Sequence, residues 1–171
     1  MLHWAVSDHN GPVAVRYPRG GNRSFDGCNW TGNADVAKTG ALACHRMGAD
    51  VTLITYGTMI DQVLKAADIL SEQGIQATVL RLLTVAPLPV YHILTMMSDH
   101  PHVVIFEETA GGCGIRQELA WSLQHLNREI RADGRDLGQR YITHGDMNSL
   151  YKHYGLDADS MAAYVQEVLQ S

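Results

Sequence analysis

Cysteine is scarce and scattered: Cys28, Cys44 and Cys113 lie far apart with no C-x-x-C pair. That spacing sets aside a thiol-zinc site and a disulfide framework, and it favours a reducing, cytoplasmic setting. No run of lysine or arginine occurs, and the formal net charge is −5, so nucleic acid and anionic membrane are poor partners. No apolar stretch approaches the ~20 residues of a membrane span. The opening MLHWAVSDHN lacks the basic-then-apolar pattern of a secretory leader. The 9 histidines include no H-x-x-x-H or H-E-x-x-H spacing, which argues against zinc. A G-x-S-x-G nucleophile elbow and a P-loop are also missing.

What is present is enough apolar material for a real core, with 46% hydrophobic and 18% charged residues over 171 positions. One compact domain with an appendage suits that length. Near the start, Val13 to Tyr17 reads as a short extended run ending at Pro18 and opening into Arg19-Gly20-Gly21. Proline cannot donate to a ladder and the glycines free the backbone behind it, so Arg19 is placed at a strand's carboxyl end. Open α/β sheets bind ligands there, and a guanidinium offers a planar fork of donors suited to phosphate or carboxylate. Too few residues precede this strand to supply the neighbours a buried ladder needs. The expectation is a fragment carrying the last strand of one domain (residues 1–20), a Gly/Asn/Asp/Ser-rich linker (21–40) and the whole of the next domain (41–171).

Within that domain, Ala41 to Met47 and Val51 to Tyr56 read as two strands of a hairpin around Gly48-Ala49-Asp50. Thr58 and Asp61 resemble a capping box, Ile60, Val63, Leu64, Ala67 and Leu70 keep helical spacing, and Gly74 supplies the stop. A strand follows at Ala77 to Leu82, then a helix after Ala86 to Pro89 that runs to about residue 99 and ends before Pro101. Val103 to Phe106 is apolar throughout, as in a strand covered on both faces. A helix from about Ile115 to Asn127, a charged loop over Arg128 to Gly138, a weaker strand at Arg140 to Thr143 and two closing helices complete the pattern. Alternation of strands and helices implies a three-layer α/β/α sandwich with a mostly parallel sheet.

The candidate chemistry is sparse. The loop Thr109 to Gly114 precedes a helix and invites a phosphate, but Gln117 stands where the dinucleotide fingerprint needs its third glycine. Glu107 and Glu108 would repel phosphate as well. Being adjacent on a strand, those two carboxylates point to opposite faces and cannot act jointly as acid and base, so a salt bridge or cap across an interface is the better reading. His144-Gly145-Asp146 reads as a helix start capped by Asp146, ahead of a catalytic role for His144. Cys113 reads as small filler rather than a reactive thiol. Met96 and Met97 are ordinary core candidates. No catalytic, cofactor-binding or metal-binding residue is assigned.

Four segments then point to one family. GPVAVRYPRGG, DVTLITYGTMIDQVLKAADILSEQGIQATVLRLLTVAPLP, HVVIFEETAGGCG and ITHGDMNSLYKHYGLDADSM resemble, in that order, the carboxyl-terminal part of the 1-deoxy-D-xylulose-5-phosphate synthase family of the transketolase superfamily. The resemblance implies a parent enzyme that uses thiamine diphosphate and Mg2+ to join a two-carbon unit from pyruvate to glyceraldehyde 3-phosphate, for isoprenoid and thiamine synthesis. It implies that this chain is the third of three domains, with the last strand of the second. The family's G-D-G…N diphosphate and metal motif and its catalytic residues are absent, so the chain by itself is expected to hold no cofactor and to be inactive, serving domain packing and a homodimer. In the family's Y-P-R-G segment the arginine binds the substrate phosphate, and Arg19 occupies that place. Competing readings are a β-subunit-like domain of a 2-oxo-acid dehydrogenase or split transketolase, and a stand-alone regulatory or binding module.

Overall fold

The computed structural model describes residues 2–7, 9–15, 42–97, 100–139 and 141–171. Helix α1 spans Leu2–Ser7. The domain that follows is built from β1 (Leu42–Arg46), β2 (Val51–Tyr56), α2 (Ile60–Glu72), β3 (Ala77–Leu82), α3 (Val90–Met96), β4 (His102–Phe106), α4 (Arg116–Leu126), β5 (Arg131–Arg135), α5 (Met147–Tyr154) and α6 (Ala158–Gln170). The five strands lie in the order β1-β3-β2-β4-β5. β2 runs parallel to β3 and β4, β4 runs parallel to β5, and only β1 is antiparallel.

Strand periodicity divides the core into two. Val51 and Leu53 of β2, with Val104 and Phe106 of β4, join Ile60, Val63, Ala67 and Leu70 of α2 and Met161 and Val165 of α6. The alternate residues, Ile54, Val103 and Ile105, face Ile93 of α3, Met97 just after it, and Leu119 and Leu123 of α4. Side chains on a strand alternate between faces, so both faces of β2 and β4 are apolar and both are covered. This is the three-layer sandwich with a mostly parallel sheet that the pattern implies. Thr52, Thr55 and Thr78 are the buried polar residues of the described strands. Two of their hydroxyls donate to backbone carbonyls, Thr55 to Phe106 at 2.8 Å and Thr78 to Gly48 at 2.8 Å, which removes the cost of burying them.

Four local expectations need correction. The hairpin does not form, because β3 lies between β1 and β2 and pairs with both. The Gly48-Ala49-Asp50 segment instead crosses the amino end of β3. There the Asp50 N–H donates to the Gln76 carbonyl at 2.9 Å and the Gln76 N–H to Asp50 Oδ2 at 2.6 Å. A Cβ on Gly48 would lie 2.4 Å from the Gln76 carbonyl, so only glycine passes. Second, α2 has no side-chain cap; a 3-10 turn over Gly57–Met59 leads into it.

Third, the charged segment Arg128 to Gly138 is not all loop: it contains β5, RADGR, which pairs with β4 along its whole length from His102↔Arg131 to Phe106↔Arg135. Charged side chains suit an edge strand, where they also discourage pairing with other chains. Fourth, the strand expected at Arg140 to Thr143 is not formed: residues 141–146 are irregular and Tyr141 is 92% exposed, while Arg140 lies outside the described residues. Of the extended run expected at Val13 to Tyr17, only Val13 to Val15 are described, and they carry no regular secondary structure. No described strand pairs with them. The rest of that run, Arg19 and the 21–40 segment lie outside the described residues.

Four other helix ends follow the capping rules. Gly74 takes φ +84° after α2 and Gly155 φ +67° after α5, the left-handed stop that glycine permits most easily. Asp146 and Asp157 cap α5 and α6 by accepting from the N–H groups of Ser149 and Ser160.

The amino end of the sheet carries a pH dependence. His100 Nε2 lies 3.2 Å from the Thr52 hydroxyl. Burial pushes this imidazole below its ordinary value, against the opposing pull of the His102 backbone and of Asp50. Burial and the nearby Arg81 lower His45 in the same way. A histidine whose folded value is depressed binds its proton better when unfolded, so the folded state loses stability as pH falls through about 6.5. Asp136 and Asp146 are lowered from 3.8, and their contribution is lost only below that value. Thermal melting from pH 7.5 to 5 should therefore fall, and His100→Gln should flatten the slope. An unchanged slope in the variant would remove His100 from the account.

Candidate functional site

The chain passes from β2 to β3 on one side of the sheet and then returns to place β4 on the other side of β2. The gap between the carboxyl ends of β2 and β4 is therefore the topological switch point, where open α/β sheets take their ligands. Tyr56, Gly57 and Thr58 reach it from β2, Glu107 and Glu108 from β4, and the Thr109 to Gly114 loop leads from it into α4.

Glu107 is 2% exposed. Its Oε2 accepts from the Ile115 N–H at 2.9 Å and the Tyr56 hydroxyl at 3.2 Å, and its Oε1 accepts from the Arg116 N–H at 3.4 Å. The carboxylate thus meets the free N–H groups at the start of α4, where the helix dipole also favours negative charge. The cap expected of this glutamate is present, but inside the domain rather than across an interface.

Glu108 points the other way and is exposed. The Tyr151 hydroxyl donates to its Oε2 at 3.1 Å and the Thr58 hydroxyl at 3.5 Å. Thr58, expected to cap α2, serves here instead. The two adjacent carboxylates are separated as strand alternation requires, so they form no acid/base pair.

The glycine loop is tied down from β5. The Gly111 N–H donates to the Gly138 carbonyl at 2.8 Å and the Leu137 N–H to the Thr109 carbonyl at 2.9 Å. Arg116 pairs with Asp136 at 2.8 Å. Burial raises the Asp136 carboxyl, but the Arg116 guanidinium and the Gly138 N–H outweigh it and leave the group below its ordinary value. Cys113 is exposed, its thiol 3.9 Å from the Gly111 carbonyl, so it fills no internal gap. His144 is exposed ahead of α5. Met97 is buried and Met96 partly so.

The crevice does not fit the diphosphate of a thiamine cofactor. A carboxylate already holds the donors such a group would use, and among the described residues no cluster of three or more His, Cys, Asp or Glu side chains is placed to hold a metal. No described helix is long and apolar enough to cross a membrane. Sequence reasoning missed Tyr56 and Gly114 as partners of Glu107. The available signal was a glutamate at a strand tip followed by a glycine-rich turn into a helix.

Solved chains described as transketolases share this fold. A chain described as a split-gene transketolase in an inactive β4 tetramer superposes with TM-score 0.66 at 24% identity, covering 77% of this chain and 43% of that one. A transketolase from Pichia stipitis in complex with sedoheptulose 7-phosphate superposes with TM-score 0.58 at 17% identity, covering 80% of this chain and 19% of the other. The chain belongs to the family described as transketolase, C-terminal domain, whose pattern matches residues 40–161.

Its curated relatives include proteins named 1-deoxy-D-xylulose-5-phosphate synthase. The one from Chlorobaculum tepidum is 32% identical over 98% of this chain. The one from Thermomicrobium roseum is 32% identical over 95%, and the one from Desulforudis audaxviator 35% identical over 93%. The chain spans about a quarter of the length of each, 26%, 25% and 25% respectively.

Proposed function

We propose that this chain serves as the carboxyl-terminal domain of a cytoplasmic, homodimeric 1-deoxy-D-xylulose-5-phosphate synthase, a transferase that depends on thiamine diphosphate and Mg2+. The reaction joins two carbons of pyruvate to glyceraldehyde 3-phosphate with loss of carbon dioxide, on the way to isoprenoids and thiamine. One observation carries the reading: identity to proteins of that name extends along nearly the whole chain, at 32% over 167 residues in the Chlorobaculum tepidum relative, and is not confined to a shared motif. In this reading residues 1–20 end the pyrimidine-binding domain, 21–40 link, and 41–171 form the third domain. The third domain packs against the upstream domains and contributes to the dimer. Arg19 is the residue assigned to the substrate phosphate.

The filled crevice supports a structural role for the domain, since the cofactor must be held elsewhere in the parent. The test is to assay the complete gene product and the 171-residue chain side by side for pyruvate consumption and deoxyxylulose phosphate formation, with calorimetric titration of thiamine diphosphate and Mg2+. Turnover and cofactor binding are expected in the complete product alone. Turnover by the chain alone, or none by the complete product, overturns the reading.

A further inference from the structure

The switch-point crevice has all the parts of an anion receptor, and the domain fills it itself. Sheets of this kind receive a phosphate or carboxylate at the start of the helix that follows the strand, because free N–H groups and the helix dipole favour negative charge there. Here the charge arrives from β4. Glu107 is 2% exposed and accepts from Ile115, Arg116 and Tyr56. Gly114 is shaped to the same carboxylate: a Cβ there would lie 2.2 Å from each of its oxygens, far inside contact distance.

We propose that Glu107 is a resident anion that closes this crevice, so that the native domain takes no phosphate or carboxylate ligand there. Removal of the side chain then converts the crevice into a receptor for a small carboxylate. The Ile115 and Arg116 N–H groups stay in place without their carboxylate acceptor, and donors left unmet away from water favour an anion that fits. Size decides which anion. Glu107→Ala removes a methylene and a carboxylate but keeps Cβ, and a free anion must stand at van der Waals distance from it. Formate therefore fits better than acetate, and phosphate is too large. The proposal does not depend on which enzyme the parent chain is.

The experiment is thermal melting of the 171-residue chain and of its Glu107→Ala and Glu107→Gln variants in chloride, formate, acetate and phosphate, at one pH and ionic strength. Wild type should show only the general effect of each salt on stability, and each variant is read as its difference from wild type in the same buffer. Glu107→Ala should melt roughly 6 °C or more below wild type in chloride, and formate should restore at least half of that loss, more than acetate and far more than phosphate. Glu107→Gln keeps the volume but not the charge, so it should melt below wild type without responding to formate. A folded Glu107→Ala that ignores formate, or a wild type that gains as much from it, overturns the proposal. If Glu107→Ala folds in no buffer, Glu107→Gln decides: melting with the wild type would show that the crevice needs volume and not an anion.

Discussion

Truncating Phe106 to alanine is expected to lower the stability of the chain by about 3–5 kcal/mol, the usual cost of emptying a buried aromatic site. The ring is fully buried at the end of β4 and meets Tyr164 edge-on, with centroids 6.3 Å apart and planes at 71°. Tyr164 in turn carries the Arg135 guanidinium 4.3 Å from its ring centre and donates to the Gly134 carbonyl at 3.3 Å. Losing Phe106 therefore leaves a cavity and also loosens the contact that holds β5 to α6. At about 2–4 °C per kcal/mol for a chain of this size, melting should fall by roughly 6–20 °C. Phe106→Leu, which keeps most of the volume, should lose much less. Urea unfolding followed by circular dichroism measures both, and a loss under about 1 kcal/mol for the alanine variant would mean that the core closes over the gap.

On the proposed reading of the parent enzyme, Arg19→Ala should weaken its use of glyceraldehyde 3-phosphate by roughly ten- to hundredfold. A hydrogen bond to a charged group contributes about 1.5–3 kcal/mol, and each 1.4 kcal/mol is about tenfold in affinity. Use of pyruvate should change little, because pyruvate carries no phosphate. Arg19→Lys should recover part of the loss, since a point charge replaces a two-pronged donor. Steady-state kinetics with each substrate varied in turn separates the effects, and melting checks that the variants fold. If the alanine variant melts normally with its kcat/KM for the aldehyde phosphate unchanged, Arg19 has a structural role instead.

Sequence alone determined the layers of this protein. The runs Val51 to Tyr56 and Val103 to Phe106 and the helical stripe from Ile60 to Leu70 each report burial directly, because periodicity records which faces meet water. The Asp146 cap and the Gly74 stop were legible for a similar reason: both are set within a single turn of chain. The family was legible too, through motifs kept in order.

Tertiary structure decided the rest. Which strand β1 joins depends on β3, some thirty residues away, and on Thr78 and Gln76 meeting Gly48 and Asp50; adjacency in sequence suggested a hairpin that the ladder does not contain. β5 was hidden because an edge strand needs backbone pairing with one neighbour and little apolar surface, so RADGR carries no period. The role of Glu107 was out of reach for the same reason. A strand-end carboxylate reads alike whether it faces solvent, a partner or a helix terminus, and only the packing of α4 against the sheet brings the Ile115 and Arg116 N–H groups to it.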